Sequence, residues 1–114
     1  MSNSPLVDYT KISPNRTSPR NHAIDRITIH HMAGNLSVES CGNVFAPSSR
    51  QASSNYGIDC EGRVGMYVEE KDRSWCSSNS ANDHRAVTIE VADNASGPGW
   101  GCSEIGRASC RERV

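Results

Sequence analysis

The chain has 114 residues, of which 35% are hydrophobic and only 5% aromatic, which suffices for one domain around one modest core. A formal net charge of -1 gives no electrostatic reason to expect nucleic acid or an anionic membrane as partner. No run approaches the roughly 20 apolar residues of a membrane span. The opening Met1-Ser2-Asn3-Ser4-Pro5 also lacks the basic start and apolar stretch of a signal peptide, so synthesis in the cytoplasm is expected.

Residues 1–24 are polar and interrupted by Pro5, Pro14 and Pro19; they read as an irregular arm with a short turn near Leu6–Lys11. In Arg26–His31, Ile27 and Ile29 alternate with Thr28, the pattern of a strand. Ala33-Gly34-Asn35 makes a loop. Ser37 then suits an N-cap, with Glu39 in the first turn near the positive end of the helix. Val38, Cys41, Val44 and Phe45 recur at helical spacing, so a short helix is predicted to about Ala46, where Pro47 stops it. Asn55–Cys60 and Arg63–Val68 are β-prone runs flanking Glu61-Gly62, which predicts a hairpin. Glu69–Arg73 reads as a charged turn and Trp75–Asp83 as a loop rich in Ser and Asn. Ala86–Ala92 is a strand with one acid inside it, and Asp93–Gly101 is loop. Strand, helix, hairpin, strand is an α/β order: a mixed central β-sheet with flanking helices.

Five cysteines, at positions 41, 60, 76, 102 and 110, are odd in number and form no Cys-x-x-Cys pair. That argues against a disulfide framework or a zinc ribbon and predicts free buried thiols for most of them. The segment Glu104–Val114, Glu-Ile-Gly-Arg-Ala-Ser-Cys-Arg-Glu-Arg-Val, matches the translation of a common sequencing adapter at every position. Residues 104–114 are therefore expected to be a non-native tail behind a domain running from 25 to 103.

Two residues suggest chemistry. His30 leaves the end of an apolar strand, a place where a rigid imidazole can meet a metal ion and still leave room for substrate. Its neighbour His31 points to the opposite face, because side chains alternate along a strand, and reads as a residue that packs or that supports the site without entering it. Glu90 lies mid-strand among Val87, Ile89 and Val91, where an unpaired carboxylate would be costly. His84, in the loop before that strand, reads as structural or solvated.

Four blocks then occur in order: Ile27-Thr28-Ile29-His30-His31-Met32-Ala33-Gly34, Ala52-Ser53-Ser54-Asn55-Tyr56-Gly57-Ile58, Glu61-Gly62-Arg63-Val64 and Ala86-Val87-Thr88-Ile89-Glu90-Val91. Together they resemble the zinc-dependent N-acetylmuramoyl-L-alanine amidases, whose fold is shared by bacteriophage lysozyme-amidases and animal peptidoglycan recognition proteins. The resemblance covers about residues 6–101. It implies that peptidoglycan is the partner and that the amide between N-acetylmuramic acid and the L-alanine of the stem peptide is cleaved with zinc. It assigns His30 as a zinc ligand, Glu90 to the catalytic water, and Asn55 and Trp75 to the substrate groove. Ser54 stands where some relatives have a catalytic tyrosine, and Cys76 where a histidine often follows the tryptophan. The family's remaining ligands, a histidine and a cysteine or aspartate, follow a further long helix that nothing here matches. The resemblance therefore implies an amidase domain incomplete at its C-terminus and inactive as written, acting by descent on the cell wall after release or export. The alternative it leaves open is a non-catalytic peptidoglycan-binding module. Oligomeric state and phage or bacterial origin are not legible in the residues.

Overall fold

The computed structural model describes residues 3–32 and 34–93. Along them run the strands β1 (Tyr9–Thr10), β2 (Arg16–Thr17), β3 (Arg26–His31), β4 (Tyr56–Ile58), β5 (Val64–Met66), β6 (Arg73–Ser74) and β7 (Ala86–Val91), and the helices α1 (Val38–Phe45) and α2 (Ser80–Arg85). The expected tail, and the loop beyond Asp93, lie outside the described residues.

Five strands form one sheet in the order β1-β5-β4-β7-β3, and β2 and β6 form a separate antiparallel ribbon. The large sheet is mixed, as expected. β3 runs parallel to β7, β7 parallel to β4 and β1 parallel to β5, while β4 and β5 form the antiparallel hairpin. The hairpin turn is held by Asp59, whose carboxylate accepts from the main-chain N–H groups of Glu61 and Arg63, and Gly62 takes a φ of +82° that suits glycine.

Ser37 caps α1 by accepting from the N–H of Ser40 at 3.1 Å, and the helix ends at Ala46 before Pro47, both as the sequence predicts. The helix turns Val38, Cys41, Gly42 and Phe45 inward. There Met32, Cys41, Phe45, Tyr67 and Ala92 form the core. Tyr67 is fully buried between helix and sheet; its hydroxyl donates to the Val38 carbonyl at 2.7 Å and its ring meets Phe45 edge-on at 5.6 Å. The sheet makes room for that ring at two glycines. A Cβ at Gly65 would lie 2.6 Å from the Tyr67 hydroxyl oxygen, and one at Gly57 2.8 Å from the ring.

Three sequence expectations need correcting. The 1–24 segment is stitched into the fold rather than loose. β1 extends the large sheet and β2 pairs with β6. The amide of Asn15 donates to the carbonyls of Phe45, Pro47 and Ala52, and the buried Arg20 guanidinium donates to those of Glu70, Asp72, Asp83, His84 and Ala86. The predicted turn at 69–73 and loop at 75–83 contain β6 and α2. Their cues are polar: Asn79 caps α2 through the N–H of Asn82, and the buried Asp83 carboxylate holds the N–H groups of Cys76 and Ser77. Finally, Cys41 and Cys76 are free thiols as expected, but Cys60 is disulfide-bonded.

Candidate active site

The parallel register of β3 and β7 sets Thr28 opposite Thr88 and His30 opposite Glu90 on one face of the sheet. Gly57 is the partner of Glu90 on the other side, so this is the face that Tyr67 and α1 cover. Asn82 of α2 donates to the Thr28 hydroxyl at 3.0 Å, which places α2 on the same face. Between the two helices the strand ends stay open. His30 Nδ1 lies 2.9 Å from Glu90 Oε1; the imidazole side chain is 54% exposed and the carboxylate 10%. A cavity of about 300 Å³ opens over the pair and is walled by Met32, Leu36, Cys41, Val44 and Phe45.

Cys76 completes the constellation. Its thiol faces Glu90 Oε1 at 3.8 Å, and the ligand atoms of His30, Cys76 and Glu90 all lie within 4.8 Å of one another. An imidazole nitrogen, a sulfur and a carboxylate oxygen at this spacing suit zinc, which takes these three donor types. Burial raises the Glu90 carboxyl above its usual range, against the pull of His30. Burial, aided by the negative charges of Glu90 and Asp83, pushes the Cys76 thiol up to about 12. In the absence of a cation the pocket therefore disfavours negative charge on both groups.

His31 Nε2 pairs with the buried Asp93 Oδ2 at 2.7 Å, and His31 also lines the cavity that opens over His30 and Glu90. His84 accepts from the Asn21 N–H at 2.9 Å and contributes nothing to the cluster. Trp75 is half-buried on the wall of a second cavity, of about 500 Å³, which it shares with Cys76, Arg73 and Asp83. Its indole N–H donates to Thr17 at 3.0 Å, so the ring is held in place.

Asn55 is the correction. It is completely buried, its amide donates to the carbonyls of Val68 and Glu69, and its side-chain oxygen accepts from Thr88. With both ends engaged inside the protein, it braces β4 against β7 instead of facing a groove. Ser54 is likewise buried and bonds the Tyr56 carbonyl at 2.8 Å. Sequence reasoning missed Cys76 as a neighbour of His30. The available signal was its place after Trp75, where the resemblance expects a histidine.

The family described as N-acetylmuramoyl-L-alanine amidase matches residues 20–108 of the chain. Among solved structures, a mutant of PlyL superposes with a TM-score of 0.63 at 11% sequence identity, over 78% of this chain. The likeness is one of fold, and this chain spans 60% of the length of that one. No curated protein matches the sequence.

Proposed function

The chain belongs to the N-acetylmuramoyl-L-alanine amidase family, and from that premise we propose that its His30–Glu90 site serves hydrolysis of the amide joining N-acetylmuramic acid to the L-alanine of the peptidoglycan stem. The observation that carries the reading is the 2.9 Å contact between a half-exposed imidazole and a buried carboxylate at the mouth of a cleft. Zinc is the cofactor we assign, with His30 and Cys76 as its donors; once bound, it would polarise the amide carbonyl and make water more acidic. Glu90 takes the proton from the attacking water. The C–N bond then breaks, and Glu90 returns that proton to the alanine nitrogen, which leaves as a free amine. Trp75 borders the path of the substrate. Among the described residues no helix is long and apolar enough to cross a membrane, and we place the action of the protein on the wall after release or export.

A second reading has an observation of its own. With Glu90 kept for proton transfer, His30 and Cys76 are two donors where a catalytic zinc takes about three, and among the described residues no other joins them. That count favours a non-catalytic peptidoglycan-binding module. One experiment separates the readings: purified peptidoglycan is incubated with the zinc-loaded protein, and both cleavage and co-sedimentation are followed. Chelator-sensitive cleavage, slowed by on the order of 10²-fold in Glu90→Gln, supports the hydrolase. Co-sedimentation without cleavage supports the binding module. A protein that neither cleaves nor sediments with the wall contradicts both.

A further inference from the structure

Arg50 is a cation on the reactive cavity to which the reaction above gives no task. It ends the 3-10 turn Ser48–Arg50, and its N–H donates to the Pro47 carbonyl at 3.0 Å. The next residue, Gln51, takes a φ of +55°, uncommon for a residue other than glycine. Such a conformation persists only where its surroundings hold it. Here the Gln51 side chain helps to hold it, donating to the Ser48 carbonyl at 2.8 Å. From this turn Arg50 joins His30, His31 and Glu90 in lining the cavity of about 300 Å³. The other charged groups there face partners: Glu90 meets His30 at 2.9 Å, and His31 meets Asp93 at 2.7 Å. Arg50 is exposed, and its guanidinium has no hydrogen-bond or ion-pair partner among the described residues. A planar fork of donors suits a carboxylate, and one beside an apolar wall suits it better than one in open water.

Hydrolysis of a muramoyl amide creates such a carboxylate. The C–N bond breaks, and the water oxygen joins the lactyl carbonyl carbon. Both water protons end on the nitrogen, the first by way of Glu90, so the products at neutral pH are a lactyl carboxylate and an alanine ammonium. The lactyl group is thus neutral before cleavage and anionic after it. Its other feature is a methyl group, to which Met32, Val44 and Phe45 offer an apolar wall in the same cavity. We propose, on the peptidoglycan reading above, that this cavity takes the lactyl group of muramic acid and that Arg50 binds the carboxylate which cleavage creates.

Binding of the product tests this without turnover. The zinc-loaded full chain is titrated by NMR with N-acetylmuramic acid and, separately, with its lactyl methyl ester. Any contribution of the metal is common to the unaltered protein and the variants, so the comparison between them reads Arg50 alone. The acid is expected to bind about tenfold more weakly to Arg50→Gln than to the unaltered protein, the scale of one charge-assisted hydrogen bond. The ester should bind both alike, and Arg50→Lys should keep part of the affinity for the acid. Equal affinity of the acid for the unaltered protein and Arg50→Gln would overturn the assignment. So would an equal loss for acid and ester, which would make the effect one of shape. Thermal melting checks that Arg50→Gln folds; if it does not, Arg50→Lys decides by the same comparison. Binding of neither ligand to the unaltered protein would overturn the assignment together with the muramoyl reading. An Arg50-dependent affinity for the acid in a protein that never cleaves the wall would leave Arg50 in place without the hydrolase. Cleavage with an acid affinity untouched in Arg50→Gln would do the reverse.

Discussion

Arg20 shows how much of this protein rests on single polar side chains. Its guanidinium is buried and reaches five main-chain carbonyls, two just before β6 and three at the junction of α2 with β7. A lysine cannot reproduce that fork, and it would leave several buried carbonyls unpaired. Arg20→Lys should therefore destabilise the fold by roughly 3 kcal/mol, read from chemical denaturation; a loss within error of zero would show that water replaces the fork. None of this was legible in the sequence, because the partners are backbone atoms fifty and more positions away, and backbone carries no residue signature. His30 and Glu90 were legible for the opposite reason: each is a polar residue set into an apolar strand, and the parallel register then brings them together. Asn55 was misread because its side chain is as suited to bracing β4 and β7 from inside as to binding from outside, and only burial tells the two apart.

At the scale of elements, apolar pattern decided what could be read. β3, α1, the β4–β5 hairpin and β7 each carry a periodic apolar signal, and all appear where predicted. β1, β2 and β6 are two residues long, too short for any period, and α2 is a six-residue helix of polar residues fixed by Asn79 and Asp83. The hairpin itself depends on a relation the sequence does not display, the fit of Tyr67 over Gly57 and Gly65. Adding a methyl at Gly65 would press on the Tyr67 hydroxyl oxygen at 2.6 Å and on Val38 at 3.0 Å. Gly65→Ala is expected to cost about 1–3 kcal/mol, the range for overpacking a core. Removing the hydroxyl as well, in Gly65→Ala with Tyr67→Phe, should cost less than the sum of the two single changes, since the second relieves the clash made by the first. Strict additivity in a double-mutant cycle would mean that the ring shifts aside freely.

The described residues are arranged unevenly about the sheet. Both helices lie on the face that holds His30 and Glu90, and strand alternation sends Ile27, Ile29, Val87 and Ile89 to the other. Among the described residues no helix covers that second face, and Ile27 is 67% exposed there. An uncovered apolar sheet face promotes association. Ile27→Lys should thus reduce self-association in sedimentation velocity while shifting stability by no more than about 0.5 kcal/mol, as expected of a surface site. A sample that is already monomeric at high concentration would refute this.

The same arrangement places His30, Cys76 and Glu90 at one open edge between the helices, and the proposed division of work there, with His30 holding zinc and Glu90 moving the proton, is open to direct measurement. Zinc titration by equilibrium dialysis, free of any need for turnover, measures that division. One equivalent of zinc is expected to bind the unaltered protein and Glu90→Gln, and none to bind His30→Ala. Zinc retained in His30→Ala, or lost in Glu90→Gln, would contradict it.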